Sequence, residues 1–262
     1  MMRPLLLCAL ACSVAAARVP AAALTAGQLV ARVIAPGIGV GAGFRIRATL
    51  TTTSSTNVKD VRQLVIRGRS DRDTLASYQQ LWPAEGAGNA LVVRVGADHR
   101  VRGFRLQPDG VTTLTDRMMG DRFFDSDVRL EDLTLGFLSW RSPAIVGEEA
   151  IGEYHCSIVD FNPGARDRTA YSHVKAWISA DPPVVVRVQQ FGRDRQLLKQ
   201  IDLYRMLKLG DRWSPGIITI EPADKKSRTV IEGASYNLDP TVSAADFTVG
   251  AIRKSIRIAS KR

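Results

Sequence analysis

The sequence predicts a mainly β protein built around one curved antiparallel sheet or barrel. Between Val184 and Leu238, segments in which apolar and polar residues alternate are separated by short turns containing Gly, Asp and Pro. Antiparallel hairpins require this pattern. Before residue 108, further short β segments with turn residues between them point to the same architecture. A sheet of this kind has one apolar face that must be covered.

Residues 1–23 have the pattern of a secretory signal peptide. A basic residue precedes an apolar run that ends in small residues, and the run is too short for a comfortable membrane span. Cleavage after Ala17 or after Ala23 fits the small-residue rule. Lipidation of Cys12 is an alternative, but the apolar stretch before it is short, so we favour ordinary cleavage. We expect an exported protein in which residues 24–262 form a single domain.

The first predicted element of this domain is a short helix over residues 25–34, where apolar residues recur at helical spacing after a Thr25 cap. The glycine-rich connector that follows lacks a preceding strand and a following helix, so it does not predict a phosphate-binding loop. Turn residues then separate the predicted strands, which are residues 44–52, 58–68, 73–82, 90–96 and 102–107. We interpret the basic residues 253–262 as a frayed tail.

Cysteine content and charge narrow the possible classes of protein. Cys156 is the one cysteine outside residues 1–23, so we expect no internal disulfide and a small buried side chain on a strand. The chain has 36 Lys and Arg against 26 Asp and Glu, a net charge of +10. Because the two signs interleave, a solvated sheet face is favoured over a nucleic-acid surface. An anionic membrane surface or an acidic partner suits an exported basic protein better.

Three carboxylates, Asp127, Glu131 and Asp132, could form a catalytic set or a cation site. They lie at the predicted start of a short helix, where carboxylates cap the backbone and complement the helix dipole. We therefore interpret them as caps and as salt-bridge partners of Arg122 or Arg129.

The histidines and serines do not assemble a reactive site in the sequence. His99, His155 and His173 are scattered, with no second ligand at metal spacing. Ser172 and His173 are neighbours, which would point to opposite faces of a strand. We expect no enzyme activity, no catalytic residues, no cofactor and no metal.

A series of short motifs runs through most of the chain. Residues 115–133 combine a polar start, two aromatics, and then Ser-Asp and Glu-Asp-Leu. The motifs that follow are residues 145–161, 171–178, the Asp181-Pro-Pro183 stop, the Gly210-Asp-Arg-Trp213 turn and Asp246-Phe-Thr248. In order and spacing, from about residue 58 to residue 252, the sequence resembles the bacterial outer-membrane lipoprotein-sorting proteins of the LolA-like type.

The resemblance implies an incomplete half-barrel, in which a strongly curved antiparallel sheet has short helices across its open side. It further implies an apolar cavity that takes the acyl chains of lipoproteins or other lipids. It also implies a periplasmic location, with an inner-membrane exporter and an outer-membrane acceptor as partners. We expect a monomer that binds no nucleic acid. Such a carrier needs no catalytic step, because burial of the acyl chains is itself favourable. Each buried methylene contributes about 0.8 kcal/mol of binding free energy.

Large apolar side chains are the candidate ligand contacts. The connection after Leu133 could cover the cavity, and its candidates are Leu135, Phe137, Leu138 and Trp140. Further candidates lie on or beside predicted strands, and these are Trp82, Phe104, Trp177 and Phe191. Each of the eight could instead be an ordinary core residue, because such side chains build most β cores.

Two alternatives to a carrier stay open at this point. One is a periplasmic protein-interaction or sensor domain of the same fold, whose half-barrel is filled by its own side chains. The other is a hydrolase that acts on an envelope lipid. A deep apolar cavity favours the carrier, a filled interior favours the interaction domain, and convergent polar groups with a perturbed pKa favour the enzyme.

Overall fold

A single antiparallel sheet of thirteen strands runs through the part of the chain that the computed structural model describes. That part is residues 24–34, 43–71, 73–165, 167–210 and 212–259. The predicted signal peptide, with Ala17, Ala23 and Cys12, lies outside the described residues, as does the connector from residue 35 to residue 42.

The sheet is two meanders joined at its centre. The first meander consists of β1 (Gly43–Ser54), β2 (Lys59–Ser70), β3 (Thr74–Trp82), β4 (Ala90–Val95), β5 (Val101–Gln107) and β6 (Gly110–Thr113). The second consists of β7 (Ala144–Ile151), β8 (Tyr154–Phe161), β9 (His173–Ala180), β10 (Pro183–Phe191), β11 (Leu197–Leu209), β12 (Arg212–Pro222) and β13 (Ser227–Leu238). The first strand pairs with the last, so the strand order is β6-β5-β4-β3-β2-β1-β13-β12-β11-β10-β9-β8-β7.

The sequence located most of these strands. The predicted meander between residues 184 and 238 is confirmed as β10 to β13, and the five predicted strands before residue 108 are confirmed as β1 to β5. The sequence missed β6, which pairs with β5 through Phe104 and Thr113. A strand of four residues is too short for an alternating pattern to be recognised.

Residues 114–143, here called the crossover segment, connect the two edge strands of the sheet. The segment leaves β6 at one edge and enters β7 at the other, so it has to pass across the open side of the sheet. It contains four short 3-10 turns, Asp116–Gly120, Phe123–Asp125, Leu130–Thr134 and Gly136–Ser139, in the region where the sequence predicted a short helix. The covering of the open side by short helical turns is confirmed.

The curvature of the sheet is shown by its main core, to which strands from both meanders contribute. Buried side chains from both meanders meet in one cluster with the crossover segment, and they include Leu50, Leu64, Leu91, Phe123, Phe137, Val159, Phe161, Ile178, Val188 and Ile220. Strands far apart in the order can share one core only if the sheet bends around it. The fold is therefore the strongly curved, incomplete half-barrel that was predicted.

The N-terminal helix α1 (Ala26–Ile34) covers part of the same concave face. Its predicted cap is confirmed, since the Gln28 backbone N–H donates to Thr25 Oγ1 at 3.3 Å. Leu29 and Val30 are buried in the main core. The apolar stripe that predicted the helix is thus the face that packs on the sheet.

A second helix, α2 (Val249–Ala259), shows that the interpretation as a frayed tail was wrong for residues 253–259, while residues 260–262 lie outside the described residues. Ile252 on this helix is fully buried and packs with Ala90 and Val92 of β4. Leu91 and Val93, the alternate residues of that strand, face the main core. Successive side chains of a strand point to opposite faces, so α2 covers the convex face. Among the described residues, no helix has the length and apolar character to cross a bilayer.

We expect Ile252→Ala to lower the free energy of unfolding by about 2–5 kcal/mol, because it leaves a cavity where α2 meets the sheet. Urea unfolding followed by circular dichroism measures the change. The exposed Lys254 on the same helix is the control, and Lys254→Ala should change stability by less than about 0.5 kcal/mol. Equal, small effects at both positions would contradict the docking of α2.

Candidate functional site

An apolar cavity of about 450 Å³ lies between the concave face of the sheet and the crossover segment. Its volume falls within the range of about 300–1,000 Å³ that is typical of ligand pockets. The elements that line it are α1, the β4–β5 hairpin, residues 133–139 and strands β10, β11 and β12. The apolar side chains of its wall include Val33, Val95, Leu133, Leu135, Leu138, Val185, Leu203 and Met206. Such a wall suits hydrocarbon chains.

An irregular stretch of β11 supplies two of these side chains. Leu203 and Met206 are three residues apart, a spacing that would place them on opposite faces of a regular strand. Arg205 between them has a φ of +51° and no partner in the register with β12. This left-handed backbone breaks the regular alternation of the strand without shifting its register with β12, and both Leu203 and Met206 line the cavity. Sequence alternation alone therefore missed Met206.

The four candidates in the crossover segment divide into two pairs. Leu135 and Leu138 line the cavity, and Leu135 is 37% exposed. Phe137 and Trp140 are buried in the main core at 6% and 8% exposure and do not line it. The cause is the 3-10 turn Gly136–Ser139, in which residues three apart lie on the same side.

None of the four strand candidates lines the cavity. These candidates are Trp82, Phe104, Trp177 and Phe191. Trp82 is half exposed at the end of β3, and Phe104 packs in the cluster under α2 on the convex face. Trp177 belongs to a separate buried cluster with Cys156, and Phe191 stacks on His173 at a centroid distance of 4.1 Å. The structure does not bring these four residues together.

The crossover segment is fixed to the sheet by a buried polar network centred on Asp132. The Asp132 carboxylate forms an ion pair with Lys199, and the two side chains are only 4% and 6% exposed. Tyr171 Oη donates to Asp132 Oδ1 at 2.8 Å, and Gln190 Nε2 donates to the same oxygen at 2.9 Å. The Arg129 backbone N–H donates to Asp132 Oδ2 at 2.6 Å. Burial lowers the pKa of Lys199, and the Asp132 carboxylate opposes that shift.

Asp127 makes a second attachment, this time to β13. It accepts hydrogen bonds from Ser227 Oγ at 2.6 Å and from Thr229 Oγ1 at 2.8 Å. Arg122 Nη2 lies 3.1 Å from Asp127 Oδ1, which confirms one of the predicted salt bridges.

Asp132 caps the turn Leu130–Thr134 through the Arg129 backbone N–H, as predicted. Its cation is Lys199 of β11, and Glu131 bonds to the loop before β9, because these elements approach the two carboxylates in the tertiary structure.

Glu131 is held by that loop and not by an arginine. Its Oε2 accepts from Thr169 Oγ1 at 2.9 Å and from the Ala170 backbone N–H at 3.4 Å. Its Oε1 is buried and has no hydrogen-bond partner among the described residues. Burial raises the pKa of the Glu131 carboxyl, and the hydrogen bond from Thr169 opposes the shift.

Two observations bear on covalent chemistry. Ser172 precedes β9, so its hydroxyl lies 3.4 Å from His173 Nδ1 and not on the opposite face as predicted. The same hydroxyl donates to the Gly192 carbonyl, which directs its proton away from the imidazole. Cys156 is buried as predicted, and burial raises the pKa of its thiol to about 11, which disfavours the reactive thiolate. The described residues contain no cluster of three or more His, Cys, Asp or Glu suited to a metal ion.

The curved sheet, the crossover segment and the cavity together define a LolA-like fold. The chain belongs to the family whose model is described as "Uncharacterized protein" and matches residues 83–254. No curated protein matches the chain.

Several solved structures share this fold, three of them with TM-scores from 0.67 to 0.79. A DUF1329 family protein from Desulfovibrio piger has a TM-score of 0.78 at 19% identity, covering 86% of this chain and 97% of that one. A domain named as an outer membrane lipoprotein-sorting protein domain, from Vibrio parahaemolyticus, has a TM-score of 0.79 at 12% identity, with coverages of 87% and 97%. A LolA superfamily protein from Nitrosomonas europaea has a TM-score of 0.67 at 14% identity, with coverages of 87% and 99%. At these identities the likeness establishes the fold.

We expect Lys199→Met to lower the free energy of unfolding by about 3–5 kcal/mol, because it leaves the Asp132 carboxylate buried without its cation. Chemical denaturation measures the loss. Adding Asp132→Asn in the same chain removes the unpaired charge, so the double variant should be more stable than the sum of the two single changes predicts. Strictly additive changes would show that the two side chains are not coupled.

Proposed function

We propose that this protein is a periplasmic carrier that binds the acyl chains of lipoproteins or other lipids in the cavity beneath the crossover segment. The observation that carries the proposal is the apolar cavity of about 450 Å³ on the concave face of the sheet. The predicted signal peptide supports export of the chain. The role would be lipoprotein sorting or lipid transfer to the outer membrane.

The energetics of the cavity suit reversible binding. About a dozen methylenes taken from water contribute on the order of 10 kcal/mol. Association and ordering of the ligand oppose this by about 4–15 kcal/mol. A carrier must release its cargo, so a modest net free energy of binding is an advantage. Release would then need only a partner that competes for the ligand or for the crossover segment.

Several finer points belong to the same proposal. We infer that the carrier acts as a monomer between an inner-membrane exporter and an outer-membrane acceptor. The similar domain from Vibrio parahaemolyticus is named for outer membrane lipoprotein sorting, which supports this role for the fold. A carrier performs no covalent step, and the Ser172 hydroxyl and the buried Cys156 thiol described above fit a protein without catalytic residues.

A protein-interaction or sensor domain without transported cargo is the second candidate. The filled part of the half-barrel favours it, since Phe123, Phe137 and Trp140 bury their rings where a fully open barrel would hold ligand. The two candidates differ in whether the remaining cavity takes up an acyl chain.

We expect Leu135→Asp to weaken binding of a fluorescent fatty acyl probe by at least about tenfold, because it places a carboxylate at the apolar wall. The backbone of residue 135 has a φ of +46°, a conformation that Asp tolerates better than Leu, so folding should be preserved. Probe titration measures affinity and thermal unfolding checks the fold.

Val58→Asp is the matched control, since Val58 is 67% exposed and lies outside the cavity wall. Its probe affinity should equal that of the unchanged protein. Native mass spectrometry of protein purified from its own periplasm, followed by lipid extraction, should find a co-purifying acylated species. A clean apo mass together with no uptake of the probe would reject the carrier and favour the interaction domain.

A further inference from the structure

A smaller pocket of about 130 Å³, with both polar and apolar side chains in its wall, adjoins the apolar cavity. The two share part of their walls, namely His99, Val101, Thr134, Gly136 and Ser139. The 3-10 turn Gly136–Ser139 forms much of the boundary, with Leu135 and Leu138 on the cavity side and Phe137 and Trp140 on the pocket side. The cavity and the pocket are therefore adjacent, with this turn between them.

Two hydrogen-bond acceptors in the pocket wall are buried and without partners among the described residues. They are Glu131 Oε1 and Gln190 Oε1. Gln190 is only 2% exposed, and its Nε2 donates to Asp132 Oδ1 at 2.9 Å. That bond fixes the orientation of the amide, because a flipped amide would set Oε1 against a carboxylate. Buried acceptors are nearly always paired in proteins, and the described residues supply no hydrogen-bond donor to these two oxygens.

The charges around the pocket favour a cationic donor. The Asp132 carboxylate is neutralised by Lys199. The Asp167 carboxylate accepts from the Gly164 backbone N–H at 2.7 Å, and Arg168 pairs with Asp116 at 3.4 Å. Within the described part of the chain, Glu131 forms no ion pair. Burial raises the pKa of the Glu131 carboxyl, and the charge of Arg129 opposes the shift without forming an ion pair with it.

A primary ammonium matches these requirements. It carries a positive charge and three N–H donors, and it has no acceptor that would meet the carboxylate unfavourably. Aromatic rings in the wall, those of Tyr171 and Trp140, would also suit a quaternary ammonium. A quaternary ammonium has no N–H, however, and would leave Glu131 Oε1 and Gln190 Oε1 unpaired.

We propose that this pocket binds the primary ammonium group of an acylated ligand, such as an ethanolamine phospholipid, while the acyl chains occupy the apolar cavity. The proposal rests on the carrier function, since the chains bring the amine to the pocket. The free α-amine of a diacylglyceryl-cysteine peptide offers the same chemistry. Glu131 supplies the charge, and Gln190 supplies a second acceptor.

The test is displacement of the fatty acyl probe from the full exported chain by lipids with identical acyl chains. Phosphatidylethanolamine should compete at least about tenfold better than its N,N,N-trimethylated form or phosphatidylglycerol, as expected for a charged hydrogen bond. Stepwise N-methylation of the headgroup should reduce competition progressively. This series uses the unchanged protein, so it does not depend on any variant folding.

Variants of Glu131 test whether its carboxylate causes the preference for a primary amine. Glu131→Gln should abolish the preference for the primary amine and leave the affinity for the acyl probe unchanged. Glu131→Asp retains the charge and should preserve part of the preference. The control is Glu148→Gln, which changes an exposed carboxylate on β7 and should leave the preference intact. A diacylglyceryl-cysteine peptide, with its amine free or acetylated, shows whether a lipoprotein amine uses the same pocket.

The outcomes separate this proposal from the carrier proposal. Acyl binding with equal affinity for all headgroups would overturn the ammonium pocket and leave the carrier standing. A preference that survives in Glu131→Gln would overturn the assignment of the pocket. A protein that takes up neither the probe nor any lipid would overturn the carrier itself.

Discussion

The structure depends on how the crossover segment is fixed across the open side of the sheet. The chain must travel from one edge strand to the other, and it does so in short 3-10 turns that cannot satisfy all their own polar groups. Asp132 attaches this segment to the sheet through Lys199, Tyr171 and Gln190, and Asp127 attaches it to β13. Because the attachments come before residue 133, the following turn is held over the concave face, where it forms the roof of the cavity.

Buried ion pairs of this kind fix position more than they add stability, since removing both charges from water costs about as much as their attraction returns. The Asp132–Lys199 pair therefore has its main effect on geometry. It positions the turn Gly136–Ser139 so that Leu135 and Leu138 face the apolar cavity. Phe137 and Trp140 face the adjoining pocket. The cavity is apolar, and the pocket contains hydrogen-bond acceptors without partners among the described residues. A single anchored turn therefore separates a site suited to hydrocarbon from a site suited to a polar group.

Fold and function remain separate questions for this family, because a curved sheet under a crossover can either hold cargo or be filled by its own side chains. Much of the concave face is filled, and the main core runs through its centre. The apolar cavity lies on the side bounded by α1, the β4–β5 hairpin and strands β10 to β12. This location makes a single elongated guest, such as an acyl chain, a better match than a large folded partner.

The sequence by itself determined most of the strands and hairpins, the capped helix α1 and the burial of Cys156, because these depend on alternation, turn residues and local capping. It also indicated that residues 135–140 belong to a covering connection. Only the tertiary structure decided which side chains of that connection meet the cavity, since a 3-10 turn separates Leu135 and Leu138 from Phe137 and Trp140. The docking of α2 and the partners of Asp132 and Glu131 likewise arise from contacts between residues far apart in the chain. Local pattern fixes which residues face the same side of an element, but the contacts across the sheet fix what lies on that side.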